Sequence, residues 1–174
     1  MSTMLLDPAL DLTDPDDDPM IGLATVEFAA GFQAGEDRLW WLNNYALATN
    51  YDSNTGKLTL IGSDTIAHWQ SALQSVYYGN WADDTTQPWG DNPTSGQRLV
   101  TFTVNDGQDD NTGLLDTVLV NVIPTNDPAK MSSVTGTTGY TEDAGAVVID
   151  ATAAITDVDD LYLESAVVAI DNFE

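Results

Sequence analysis

The 174-residue sequence contains no cysteine, and basic side chains are scarce: 4 Lys and Arg stand against 28 Asp and Glu, with 1 histidine. The absence of cysteine excludes disulfides, cysteine nucleophiles and cysteine-based zinc sites. A secreted domain would then need another source of rigidity, and bound metal is the obvious candidate. The net charge of −24 argues against nucleic acid and anionic membranes as partners, because their phosphates would be repelled.

Recognisable catalytic patterns are also missing. The only histidine, His68, falls in a predicted helix, and no Gly-x-Ser-x-Gly elbow or Ser-His-Asp order occurs. The acidic residues cluster at turns, which does not suit a glycosidase carboxylate pair. We therefore expect no enzyme activity.

Targeting and membrane-spanning segments are not recognisable either. No apolar run is long enough to cross a bilayer, and the first residues lack the basic and apolar regions of a signal peptide. The sequence therefore predicts no membrane insertion. The chain is either an excised piece of a longer protein, or its targeting signal lies elsewhere.

Short alternating segments separated by turn residues predict an all-β fold, an Ig-like or cadherin-like Greek-key sandwich. The clearest hairpin joins residues 98–104 and 115–123 across an Asp106-Gly107 turn. One short helix is indicated by apolar residues at helical spacing, namely Ile66, Trp69, Leu73 and Val76. The other predicted strands cover residues 4–12, 23–29, 38–43, 57–61 and 76–78.

An internal repeat divides the chain. Residues 12–17 match residues 155–160, 143 positions farther along. Pro124 and Pro128 cannot donate ladder hydrogen bonds, so they mark a linker. We expect residues 1–128 to form one sandwich without its opening strand, and residues 129–174 to be the N-terminal part of the next repeat in a tandem array.

The N-terminal part of this second repeat, residues 129–174, is called the tail below. It is predicted to be either mobile or paired in a sheet, in its own chain or by strand exchange with a neighbour. The apolar alternation at residues 147–155 and 166–170 favours pairing.

The acidity has two explanations: solubility or a salt-adapted source, and the binding of divalent cations. The clustering of the Asp residues favours cations. Calcium takes 6–8 oxygen ligands, yet no single loop supplies them, because the EF-hand spacing that starts at Asp14 meets Pro19 and Thr25 where Gly and Glu are required. The glycine-rich nonapeptide repeat is also missing. A site must therefore be assembled from separate loops.

Two such sites are predicted. In an Ig-like sandwich, the loop after the second strand and the loop between the last two strands lie at one end. Each single Asp is equally well explained by capping or turn formation, and the repetition of the cluster favours metal. The first predicted site combines Asp14, Asp16 and Asp17 with Asp106, and the second combines Asp157, Asp159 and Asp160 with the linker residues Asn126 and Asp127.

The tryptophans suggest a second class of function. Trp81 and Trp89 lie in a predicted loop, where exposed indoles could stack on sugar rings. Core packing or loop anchoring is the favoured explanation. The adjacent Trp40 and Trp41 should point to opposite faces of a strand, one of them into the core.

Several of these motifs resemble those of a known family. Asn126-Asp127-Pro128 resembles the end of a cadherin repeat, residues 157–160 resemble its Asp-x-Asp motif, and Glu142 resembles its early glutamate. The chain is more similar to the bacterial cadherin-like repeats of large secreted, calcium-dependent adhesins of the repeats-in-toxin group. The segments that carry this similarity are residues 31–32, 55–60, 72–77 and 126–128.

The resemblance implies an extracellular or cell-surface repeat that binds Ca²⁺, contacts neighbouring repeats, stiffens a tandem array and supports adhesion or biofilm formation. The loop tryptophans make a polysaccharide or cell-surface glycan a further expected partner. One departure is that the cadherin Asp-Arg-Glu motif is absent, so a loop with Asp83, Asp84 and Asp91 would have to replace it. The alternative function is a lectin-like carbohydrate-binding module that uses Trp81 and Trp89.

Overall fold

The computed structural model describes residues 3–13, 20–42, 45–81, 92–106, 112–132 and 136–171. Within these ranges the chain forms short antiparallel strands and one nine-residue helix. The elements are β1 (Thr3–Leu5), β2 (Met20–Ala30), β3 (Asp37–Trp41), β4 (Ala48–Asp52), β5 (Lys57–Thr65), α1 (Ile66–Gln74), β6 (Val76–Asn80), β7 (Gly96–Asn105), β8 (Thr112–Val122), β9 (Lys130–Ser132) and β10 (Ala154–Thr156).

Two sheets enclose the core. The larger sheet has the order β4-β5-β2-β7-β8, and the smaller has the order β1-β6-β3. In β7 the side chains of Val100 and Phe102 are buried while those between them are more accessible, as the two-residue period of a strand requires. The predicted all-β sandwich with one short helix is therefore confirmed.

Helix α1 closes one side of the core. The Thr65 side chain caps it by accepting a hydrogen bond from the His68 N–H, and Trp69, Ala72 and Leu73 form its buried face. The indole N–H of Trp69 donates to the Ile21 carbonyl at 2.9 Å, which ties α1 to β2. Within the described ranges, no helix has the length and apolar character needed to cross a membrane.

The first segment differs from the prediction of a strand over residues 4–12. Strand β1 ends at Leu5, because the Asp7 carboxylate accepts the Ala9 N–H at 3.0 Å and forms a turn that contains Pro8. Leu6, Leu10 and Leu12 nevertheless enter the core. Two glutamine side chains of α1 hold this segment: Gln70 accepts the Leu12 N–H at 3.1 Å, and Gln74 donates to the Leu10 carbonyl at 2.8 Å.

A buried ion pair joins the two sheets. The Arg98 Nε of β7 donates to the Asp37 Oδ2 of β3 at 2.7 Å, and their side chains are 1% and 0% exposed. The same carboxylate also accepts hydrogen bonds from the Gln33 N–H, the Tyr78 hydroxyl and the Asn80 amide. Burial, followed by the Asp37 contact, raises the pKa of Tyr78 far above its usual value. The carboxylate is thus fully satisfied, as a buried charge requires.

Among the described residues, the strands of the tail pair only with each other. Strands β9 and β10 form a two-stranded sheet, with Met131 opposite Ile155. The prediction of strands over residues 147–155 and 166–170 is wrong outside β10, because among the described residues these segments meet no partner strand. Ile149 is 70% exposed and Val168 is 83% exposed. The sequence also predicts that residues 133–140 supply the opening strand of the second repeat. Residues 133–135 lie outside the described part of the chain, and residues 136–140 form no strand.

Candidate calcium sites and aromatic cleft

Residues of the predicted second calcium site, in the linker and in the second Asp loop, contact one another in the structure, and this contact region is called the junction below. The backbone N–H of Asp127, in the linker, donates to the Asp159 Oδ2 at 2.5 Å. The Asp157 Oδ1 accepts the N–H groups of Asp159 and Asp160, each at 3.0 Å. The Asn126 side-chain amide donates to the Asp127 carbonyl at 3.0 Å. The structure thus brings the linker residues against the Asp loop of the second copy.

One residue at this junction was not anticipated. The Asn92 side-chain amide donates to the Val158 carbonyl at 3.3 Å, so a loop of the first sandwich also contacts the second Asp loop. No spacing or repeat marks Asn92 in the sequence. Its neighbours Pro93, Ser95 and Gly96 are common turn residues and do not single it out.

The chemistry of the junction suits a hard cation. Its donors are carboxylate, amide and carbonyl oxygens, which calcium prefers. Asp127, Asp157 and Asp159 are half-buried, and Asp160 is exposed. Hydrogen bonds engage one oxygen each of Asp157 and Asp159. Among the described residues, however, no three Asp, Glu or His side chains converge on a common point. Calcium binding here stays a prediction that requires these carboxylates to turn inward.

Asp106, the described residue of the other predicted site, lies at the opposite end of the sandwich from the linker. Asn105, at the end of β7, pairs with Leu23 near the start of β2, so Asp106 follows at the end of the large sheet where β2 begins. Val122, which precedes the linker, pairs with Gly96 at the far end of β7. The predicted partners of Asp106, namely Asp14, Asp16 and Asp17, lie outside the described residues.

A cleft beside Trp81 contains the described part of the predicted carbohydrate site. It has a volume of about 370 Å³ and is lined by Gly35, Glu36, Asp37, Arg38, Tyr51, Ser53 and Trp81. The Arg38 guanidinium carbon lies 5.0 Å from the Trp81 ring centroid and 5.8 Å from that of Tyr51. These distances allow cation–π attraction to both rings. Burial raises the pKa of the Tyr51 hydroxyl.

Trp81 is also held in place by its neighbours. Its ring meets the edge of Trp40 at a centroid distance of 5.2 Å, and Trp40 stacks on Tyr77 at 5.6 Å. Its backbone N–H donates to the Glu36 carbonyl. One tryptophan of the pair, Trp41, enters the core as predicted, whereas Trp40 is half-buried instead of exposed, because it packs on Tyr77 and Trp81. Trp81 is therefore fixed by its neighbours and lines the cleft, while Trp89 lies outside the described residues.

His68 makes contacts that are typical of a structural histidine. Its Nδ1 lies 2.7 Å from the Asp64 Oδ1, and its ring stacks on Tyr45 at a centroid distance of 4.8 Å. The Thr65 N–H, followed by His68, lowers the pKa of Asp64. These contacts stabilise the first turn of α1.

Comparison with known proteins gives one partial similarity. The chain is 40% identical over 86 residues to Halomucin of Haloquadratum walsbyi (strain DSM 16790 / HBSQ001), a match that covers 47% of this chain and 1% of Halomucin. The chain therefore spans a very small part of the curated relative that it matches. No family model matches the chain. No solved structure matches it either.

Proposed function

We propose that the chain is a calcium-binding structural repeat, of the bacterial cadherin-like kind, in a large extracellular or cell-surface adhesin. The observation that carries the proposal is the contact between the linker and the second Asp loop, in which the Asp127 N–H donates to the Asp159 carboxylate. This contact joins the linker to the second Asp loop at an acidic position in the chain. A cation bound there would fix this contact and stiffen the array.

Charge supplies the physical reason for a cation. Asp157, Asp159 and Asp160 are three carboxylates within four residues, and the backbone N–H of Asp127 contacts Asp159. If these side chains turned toward one another, the carboxylates would repel unless a counter-charge lay between them. A divalent ion coordinated by several of these oxygens would convert the repulsion into a cross-link between repeats.

The similarity to Halomucin supports a location in a large extracellular protein, but it does not bear on calcium binding. The stretch similar to this chain is 1% of Halomucin, so the relative is a very long protein, and its name is that of a mucin. Both are consistent with a repeat in a large extracellular protein. The names Halomucin and Haloquadratum also carry the prefix for salt, which agrees with the competing, salt-adapted explanation of the acidic surface. Calcium binding must therefore be measured directly.

Titration of the full chain with calcium tests the proposal. The variant Asp157→Asn/Asp159→Asn keeps side-chain shape and the turn hydrogen bonds but removes two charges, and it should bind at least one calcium ion fewer by isothermal titration calorimetry. The control Glu164→Gln/Asp171→Asn removes two exposed charges of the tail away from the junction and should bind as the parent does. Equal calcium stoichiometry and affinity in both variants would refute the junction site.

We propose carbohydrate binding as the second candidate function, because the cleft at Trp81 combines two aromatic rings with the Arg38 guanidinium. Its volume of about 370 Å³ lies within the range of roughly 300–1,000 Å³ typical of ligand pockets. A glycan array probed with the parent chain and with Trp81→Ala, in calcium and in chelator, separates the candidates. Glycan signals that require Trp81 in both solutions would support the module; their absence would leave Trp81 with its anchoring role alone.

A further inference from the structure

Arg38 is the basic residue in the lining of the cleft beside Trp81. It is exposed on β3, and its guanidinium contacts the rings of Trp81 and Tyr51. Among the described residues, no carboxylate lies within ion-pair distance of Arg38, whereas Arg98 is paired with Asp37. The cleft therefore contains a cation whose charge the described part of the chain does not neutralise by direct contact.

The two acidic residues that line the cleft are engaged elsewhere. The Glu36 Oε2 accepts the Thr94 N–H at 2.9 Å, and its Oε1 accepts the Thr94 hydroxyl at 2.7 Å. Thr94 does not line the cleft. Asp37 is buried, and Arg98 compensates its charge. Because hydrogen bonds hold both carboxylates on other partners, Arg38 keeps its N–H donors for a ligand.

A guanidinium placed in this way suits a carboxylate. It carries five N–H donors in a planar fork that matches the two oxygens of a carboxylate. Attraction to the rings of Trp81 and Tyr51 does not consume these donors. The ring contacts also restrict the side chain before a ligand arrives, so that less conformational entropy is lost on binding.

Aromatic surface continues from the cleft along the small sheet. The Trp81 ring contacts Trp40, and Trp40 stacks on Tyr77. All three side chains are half-buried, so part of each ring stays accessible. Aromatic rings offer a large, rigid contact area to the apolar C–H face of a sugar. A ligand that matches both features combines a carboxylate with sugar rings.

We propose that the cleft binds the uronic acid residues of an acidic polysaccharide, with the sugar carboxylate on the Arg38 guanidinium. The inference rests on the candidate function of carbohydrate binding and names the class of its ligand. The carboxylate accepts hydrogen bonds from the guanidinium, and the sugar rings pack along Trp81 and Trp40. A neutral sugar gains only the ring contacts and leaves Arg38 unpaired.

The net charge of −24 opposes the approach of an acidic ligand but does not prevent this contact. At an ionic strength of about 0.15 M, charges farther apart than about 8 Å are largely screened. A carboxylate in contact with Arg38 lies well within that distance. Calcium could also bridge an acidic sugar to the Asp residues of the chain, so the binding experiment must be done in chelator.

Calorimetric titration of the full chain in chelator with an oligogalacturonide and with its methyl ester tests the proposal. The two ligands share their sugar rings, and esterification removes only the charge. The parent should bind the acid at least about tenfold more tightly than the ester, and Arg38→Met should reduce this ratio to about one. Arg38→Lys keeps the charge but not the planar fork and should keep only part of the ratio. The control Lys57→Met removes a charge outside the cleft lining and should keep all of it.

The outcomes separate this inference from the candidate function on which it rests. Equal binding of acid and ester, with both weakened in Trp81→Ala, would overturn the inference and leave carbohydrate binding standing. Failure of the parent to bind either saccharide would overturn both. An acid-to-ester ratio that survives Arg38→Met would remove Arg38 from the site. A hexa-aspartate peptide that binds as tightly, with the same dependence on Arg38, would overturn the assignment to saccharides.

Discussion

At the residue scale, the ion pair of Asp37 and Arg98 has the largest expected effect on stability. Removing one partner leaves the other charge buried without compensation, which typically costs about 3–5 kcal/mol. We expect Asp37→Ala to lose stability of this size in urea unfolding. The surface pair of Lys57 and Glu27, at 3.1 Å with side chains 40% and 38% exposed, supplies the control, since Lys57→Met should cost only about 0–1 kcal/mol. Equal losses would contradict the account.

Asp7 and Asp150 occupy equivalent positions in the two copies of the repeat, but the pKa values of their carboxyl groups shift in opposite directions. Burial, followed by a hydrogen bond with Asp116, raises the pKa of Asp7 above 3.8. The Thr152 hydroxyl, followed by its N–H, lowers the pKa of Asp150. The difference arises because β8 brings a second carboxylate to Asp7, whereas the described tail brings none to Asp150.

The raised pKa of Asp7 predicts a pH-dependent gain in stability for Asp7→Asn. A folded pKa above the unfolded one means that the stability contributed by Asp7 is complete below the unfolded pKa and is lost as pH rises through the folded pKa. Asn keeps the turn but cannot ionise. We expect equal unfolding midpoints at low pH and a higher midpoint for Asp7→Asn at neutral pH. A constant difference between the two proteins at every pH would show that Asp7 acts through packing alone.

At the element scale, the end of β2 depends on a glycine. The β2–β7 register shifts between Phe28 and Ala30, and Gly31 follows with φ of 78°. A Cβ at Gly31 would lie 2.0 Å from the Gln97 carbonyl oxygen, whereas Gly35, with φ of 91°, has nothing within 4 Å. Gly35→Ala should cost about 1–2 kcal/mol for its backbone conformation alone. Gly31→Ala should cost clearly more in guanidinium unfolding, and equal costs would contradict this view of the bulge.

Elements with strong alternation could be predicted from the sequence, and those without it could not. The predicted strand at residues 98–104 lies within β7, and the predicted helix lies where α1 forms. Strand β4 was missed because Ala48, Thr49 and Asn50 are all exposed and show no alternation. The ion pair of Asp37 and Arg98 was missed because sequence periodicity does not tell which strands face each other.

The part of the second predicted calcium site that belongs to the internal repeat could be predicted from the sequence. The second Asp cluster was assigned to the linker because it repeats the first, and the contact between Asp127 and Asp159 forms in the structure. Asn92 belongs to no repeat and could not be found this way. The extended strands predicted in the tail show the limit of alternation, because an apolar pattern forms a strand only where a partner strand is present.

At the scale of the whole molecule, the dominant feature is the net charge of −24. Self-repulsion of this size destabilises a compact state unless counter-ions reduce it. Monovalent salt would screen exposed carboxylates generally, whereas calcium would act where several oxygens meet. The two explanations therefore predict different responses to equal ionic strength.

Thermal unfolding of the full chain in three solutions tests the central claim most directly. The solutions are chelator, millimolar calcium, and sodium chloride matched to the calcium solution in ionic strength. A ligand that binds only the folded state adds about 2.7 kcal/mol of stability at 100 times its Kd. The account predicts a higher melting temperature in calcium than in the other two solutions. Identical curves in chelator and calcium, or an equal shift in matched sodium chloride, would contradict it.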